Sequence, residues 1–236
     1  MPEPNPPVND RRQFLRHSGA LLSLAALGAP ALLPGCTPTP ASLELPATEE
    51  LMQEHGLLRR LLLIFDEVAR RLRCCQELAP GVLAEAAAIT RTFGQDHHEK
   101  LEEEHLFPSL EKAGQLLALT KILRRQHEAG RRVLQAVALQ ANPGTAKRFV
   151  QRAQLEAWLT LFTRMYRPHA AREDTVLFPA LRTLLSPAEF RGLEQKFAAA
   201  TQERAAQDGF QDVLARVADL EKALGMHDLE AFTPNL

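Results

Sequence analysis

From Thr48 onward, apolar residues return every three or four positions, and alternating Val, Ile and Thr runs are absent. That period predicts an all-α protein. The first helix should begin with Thr48 as its N-cap and Glu49 and Glu50 in the first turn, with Leu51, His55, Leu58, Leu62, Phe65, Ala69 and Leu72 along one face. Pro80-Gly81 ends the turn after it. A second helix is predicted from about Val82 to beyond Leu110, with a seam through Ala84, Ala88, Arg91, Gln95, His98, Glu102 and His105 and a bend at Pro108. The third carries Leu116, Leu119, Leu123, His127, Leu134 and Val137 and closes at Asn142-Pro143-Gly144. The fourth has the cleanest stripe: Leu155, Leu159, Phe162, Tyr166, His169, Glu173, Val176 and Ala180, with Pro168 and Pro179 predicting a kink. Ser186-Pro187-Ala188-Glu189 is a start signal for a fifth helix to about Gln207, and a sixth is expected from about Phe210 to Leu224.

The polar members of these stripes are what set the chain apart. His98-Glu-Lys-Leu-Glu102-Glu-Glu-His-Leu106-Phe-Pro108 recurs as His169-Ala-Ala-Arg-Glu173-Asp-Thr-Val-Leu177-Phe-Pro179. Each copy follows a matching half-motif, Glu54-His55 with Arg59-Arg60 and Gln126-His127 with Arg131-Arg132, at separations of 43 and 42 residues. Spacing of i, i+4 puts an imidazole and a carboxylate on one helical face. Two such helix pairs form a pseudo-twofold arrangement around a shared core.

Buried ionisable groups are costly unless paired or bound to metal. The candidate ligands are therefore His55, His98, Glu102, His127, His169 and Glu173. Imidazole nitrogen with bridging carboxylate suits a pair of iron ions, with manganese as the alternative, and the lack of clustered thiolates argues against structural zinc or iron–sulfur. If each glutamate bridges, every metal receives two histidines and two carboxylate oxygens, leaving room for an oxo or hydroxo bridge and a small ligand. Tyr166 lies one turn before His169 and is a candidate proton or electron donor. Glu103 and Glu104 are expected in solvent, His97 outside the ligand set, and His105 near the site or half-exposed.

Composition narrows the picture. The 236 residues are 45% hydrophobic and 24% charged, with 28 basic against 29 acidic side chains. The near-zero balance offers no basic face for nucleic acid. Residues 1–36 are set apart: Asp10-Arg11-Arg12-Gln13-Phe14-Leu15-Arg16 and the mild apolar run from Gly19 to Leu33 resemble a twin-arginine export signal. Leu33-Pro34-Gly35-Cys36 resembles a lipoprotein box, which makes Cys36 the candidate lipid anchor, and residues 37–47 read as a linker. The expected location is the periplasm or cell envelope. Of the adjacent Cys74 and Cys75, at least one is expected partly buried.

On the ligand pattern and the Leu-Phe-Pro triplets, residues 48–185 resemble the hemerythrin HHE cation-binding family. The resemblance implies an up-down four-helix bundle of hemerythrin-like type around a di-iron centre, here with two additional C-terminal helices in residues 186–236. Within the family the pattern is most similar to di-iron proteins associated with repair of damaged iron centres under nitrosative stress. Oxygen carriers typically add a fifth histidine one turn from the third and an aspartate after the last. Leu123, Arg131 and Glu173 differ from that, which implies a more open, reactive site. The function expected is that of an exported non-haem di-iron protein that binds or reduces oxygen, peroxide or nitric oxide with electrons from a donor. The alternative is a non-enzymatic module that stores, carries or senses iron or a diatomic gas.

Overall fold

A computed structural model describes residues 46–141, 149–206 and 208–234, and among them every regular element is helical. Helix α1 is Ala47–Arg73, α2 runs over 82–112, α3 is Leu117–Gln140, α4 runs over 149–184, α5 is Pro187–Ala205 and α6 is Phe210–Leu224, followed by a short 3-10 turn at Glu230–Phe232. No helix among the described residues is long and apolar enough to cross a membrane. The segment resembling an export signal, Cys36 and the predicted turn at Asn142-Pro143-Gly144 lie outside the described residues.

Most predicted boundaries hold. At the fifth helix, Ser186 and Glu189 form a reciprocal capping box, and α6 ends on Gly225 in the left-handed conformation. Thr48 is not the first cap. The cap lies two residues earlier, at Pro46, whose carbonyl accepts from the amides of Glu49 and Glu50 at 2.8 and 3.0 Å. Thr48 is instead buried, and its hydroxyl accepts from Arg182 Nε at 2.7 Å. Cys74 and Cys75 are both exposed, contrary to expectation.

Wide, π-helical turns interrupt α2 and α4, two of them at the bends expected at Pro108 and Pro179, whereas Pro168 lies within regular α-helix and Thr90–His98 widens without a proline. One spans Thr90–His98, a second Glu102–Leu106 before Pro108, and a third Glu173–Leu177 before Pro179. Proline removes one intrahelical donor and crowds the preceding turn, and a wider turn relieves both problems. Each π turn also rotates the helix face by about one residue. Ala84, Ala88 and Arg91 consequently lie outside, whereas Leu83, Ala87, Thr90 and Gly94 are buried. Val176 likewise turns out, and Leu177 takes its place in the core.

Two apolar clusters lie on either side of the polar stripe. One gathers Leu61, Phe65, Ile89, Leu134 and Phe162 with Val213, Val217 and Leu220 of α6. The other gathers Leu51, Phe107, Leu110 and Phe178 with Leu193 and Phe197 of α5. The C-terminal helices thus complete the same two clusters that α1 to α4 begin. Each fully buried Val, Leu or Phe contributes roughly 1.5–3 kcal/mol, which fixes the helices at both ends of the polar layer. The bidentate pair between Arg60 and Glu221 adds a tie from α1 to α6.

Candidate metal centre

All six predicted residues meet between the two clusters. Helix α1 delivers His55, α2 His98 and Glu102, α3 His127, and α4 His169 and Glu173, and every one is buried. The four imidazoles form two pairs, with His55 and His98 ring centroids 4.7 Å apart and those of His127 and His169 4.8 Å apart. The Nε2 atoms face the carboxylates: His55 is 3.4 Å and His169 3.0 Å from Glu173, while His98 is 3.8 Å and His127 3.6 Å from Glu102.

The opposite ring nitrogen of each histidine is held from outside. His55 Nδ1 lies 2.6 Å from Asp174, His98 Nδ1 2.8 Å from Glu54, His127 Nδ1 2.8 Å from Glu103, and His169 Nδ1 2.9 Å from Gln126 Oε1. Carboxylate and amide oxygens accept, so Nδ1 carries the hydrogen and, in the neutral ring, Nε2 presents a lone pair to the centre. Phe178 stacks on His55 and Phe107 on His127, each at 5.6 Å, so the aromatic of one Leu-Phe-Pro triplet braces a histidine of the other half.

These contacts fit a bound cation. Among the described residues, both oxygens of Glu102 and both of Glu173 lack any hydrogen-bond partner, although the two side chains are fully buried. His169 Nε2 is close to Glu173 but not aligned with it as a hydrogen bond. The Nε2 atoms of His127 and His169 also face each other at 3.1 Å, an arrangement of lone pairs that a cation between them satisfies. Three groups have donor atoms within 4.8 Å of one another: Glu102-His127-His169-Glu173 and His55-His98-Glu102, which share Glu102, and Glu99-Glu103-His127 on the outer side of His127.

The electrostatics follow the same layout. Burial works against charge on Glu173, but His169 and His55 outweigh it and hold that carboxyl well below its usual range. Burial, then the charge on Glu173, pushes Glu102 well above it. Burial alone would lower His55; the hydrogen bond to Asp174 and the neighbouring Glu173 carboxylate instead raise it to about 9. For His127 burial prevails over Glu103, and the imidazole falls to about 4.

Tyr166 stands beside this layer, its ring centroid 5.3 Å from that of His169, and its hydroxyl donates to Glu99 Oε1 at 2.6 Å. Burial first, then Glu99, moves the phenol well above its ordinary value. Arg131 contacts the other Glu99 oxygen at 2.9 Å, yet burial still pushes that carboxyl up to about 8. Room for the phenol depends on Gly130, where a Cβ would lie 2.0 Å from the Tyr166 oxygen. A cavity of about 40 Å³ among Leu58, Leu62, Phe65, Phe162 and Ala170 reaches His55, His98, His169, Glu173 and Tyr166.

Among the neighbours, Glu103 alone differs from expectation. Glu103 is half-buried and hydrogen-bonded to His127, not solvated, and Glu104 is exposed as expected. His97 is buried, with Nε2 3.2 Å from Glu54, and so lies outside the ligand set. His105 is half-buried near Phe197, because the π turn after Glu102 rotates it away from the cluster. The signal for the outer partners lay in the repeat: Glu54 and Gln126 each precede a histidine, and Glu103 and Asp174 each follow a glutamate.

The chain aligns over its whole length with Mycobacterium proteins. The uncharacterized proteins Mb2018 of Mycobacterium bovis and Rv1995 of Mycobacterium tuberculosis are each 40% identical to it over 242 residues, covering 100% of this chain and 95% of theirs. No solved structure matches. Residues 47–182, the segment that carries all six inward-facing side chains, match the family described as Hemerythrin HHE cation binding domain, and the chain belongs to that family.

Proposed function

We propose that this chain is an exported non-haem di-iron protein, built on an up-down four-helix bundle, that binds or reduces a small oxidant: oxygen, peroxide or nitric oxide. One observation carries the reading: four imidazoles, each fixed at Nδ1 from outside, aim Nε2 at two buried carboxylates that have no hydrogen bonds of their own among the described residues. His55 and His98 would hold one ion and His127 and His169 the other, with Glu102 and Glu173 shared. Iron so held supplies electrons and open coordination positions for a small ligand, and manganese is the alternative occupant.

The chain's own groups do the rest. Phe107, Phe178 and the apolar clusters keep water from the layer. The cavity has room for a molecule of a few heavy atoms, since a water needs ~10–15 Å³ on a comparable measure. Its apolar walls favour an uncharged molecule. Tyr166 keeps a proton on its oxygen beside His169, where it can be passed to a reduced ligand, and Glu99 and Arg131 hold the phenol in place. The arginine pair and apolar run of residues 1–36 support export, with Cys36 as the tether, and the ligand pattern supports kinship with the repair-of-iron-centres type.

The test is metal analysis of native protein together with its optical spectrum, before and after reduction and exposure to oxygen and nitric oxide. Close to two irons per chain are expected, with their loss in His98→Ala and Glu173→Ala. Iron-loaded protein should consume peroxide or nitric oxide faster than free iron does. If it binds iron and the gas but turns over no faster, the binding, storage or sensing role replaces the enzymatic one.

A further inference from the structure

The four outer partners of the histidines are not equivalent. Position 54 is glutamate and its counterpart, 126, is glutamine. At the His55–His98 end both imidazoles therefore donate to carboxylates, Asp174 and Glu54, at 2.6 and 2.8 Å. At the His127–His169 end one donates to a carboxylate, Glu103, and the other to the uncharged amide of Gln126, at 2.8 and 2.9 Å. Beside these partners Arg59 pairs with Asp174 as Arg131 pairs with Glu103, while His97 sits on Glu54 and Glu99 lies beside Glu103. Glu99 bonds to Tyr166 and Arg131 instead of to an imidazole.

A carboxylate that accepts the Nδ1 hydrogen draws it off the ring and makes Nε2 a stronger donor to a cation, whereas an amide does so far less. Glu54 is nearly fully buried, so solvent does not dilute the effect, and His97 holds its second oxygen at 3.2 Å. We infer that the two cation positions are unequal, with the His55–His98 position the tighter, and that the Glu54/Gln126 difference sets this order. Glu54 and Gln126 are positioning residues: they act on the cation through His98 and His169. The inference rests on the two-cation reading given above.

The experiment places the ions. Crystals of native full-length protein, stripped of metal and given one equivalent of manganese(II), are compared by anomalous scattering at the two positions. Native protein should fill the His55–His98 position preferentially, by about tenfold or more, the range seen when an outer partner of a ligand is altered. Glu54→Gln should leave occupancies nearly even, and Gln126→Glu should do the same by strengthening the other end. Exchanging both residues conserves charge and composition and should reverse the order, which a purely structural role for Glu54 does not do. Even filling of native protein, or an order unchanged by the double exchange, overturns the inference while leaving two cations per chain intact. A chain that holds fewer than two cations in excess metal overturns the two-cation reading instead.

Discussion

The half of the centre built from α1 and α2 and the half built from α3 and α4 use the same parts with different surroundings. In each, a histidine is stacked on a phenylalanine of the other half and held by the acid that follows the other half's glutamate. Around that common frame the halves diverge. Tyr166 fits against Gly130 in the second half, while the matching places in the first are Gln95 and Leu58. Their histidines also differ in charge: His55 is raised to about 9, and His127 is lowered to about 4. The repeat therefore supplies the ligand geometry, and the flanking residues give each half its own surroundings.

The largest effect should come from the shared carboxylates. Glu102→Ala and Glu173→Ala are each expected to cut bound iron from about two per chain to less than one, read by metal analysis, because each carboxylate serves both halves. A variant that keeps one full iron would show that the halves bind independently. Next in size are the braces. Phe107→Ala and Phe178→Ala should each cost about 3–5 kcal/mol in denaturant unfolding. Similar losses are expected, since the two rings are equally buried and equally stacked.

Gly130→Ala and Gly94→Ala sharpen the contrast. A methyl at Gly130 meets Tyr166 ring and hydroxyl atoms at 2.0–2.7 Å, so about 1–3 kcal/mol should be lost together with the bond to Glu99. At Gly94 the nearest atom is the flexible tip of Leu58 at 3.2 Å, and the helix gains up to ~1 kcal/mol from alanine. That variant should be close to neutral in thermal melting.

The smallest effect is in titration of the metal-free chain. His55 should stay protonated up to about pH 9 and His127 neutral down to about pH 4, as followed by imidazole NMR signals. His55 binds its proton more tightly folded than unfolded, so its stabilisation is complete below pH 6.5 and lost as pH rises through 9. His127 is the reverse: its contribution is complete above pH 6.5 and lost as pH falls through 4. Coincident midpoints for the two histidines would remove the electrostatic part of the comparison.

Much of this was legible in the sequence. The i, i+4 spacing and the repeat placed six side chains on inward faces, and the Ser186 box and Gly225 marked helix ends, because such signals act within one or two turns. The helix register before His98 departs from the seam that periodicity predicts, since the width of a π turn depends on what the helix packs against and not on local periodicity. Glu103, like Glu104, reads from the sequence as a solvated acid, and only the approach of α3 turns it into the partner of His127.

The sequence alone determined that the chain is helical, that it is internally duplicated, and that four histidines and two glutamates share a buried stripe. Local hydrogen bonding and apolar periodicity are enough for that. Only the tertiary structure decided which acid holds which imidazole, that each phenylalanine braces the opposite half, and that Gln126 stands where its counterpart is charged. Those contacts join residues up to 123 positions apart, as Phe178 is from His55, and their geometry comes from how the helices pack.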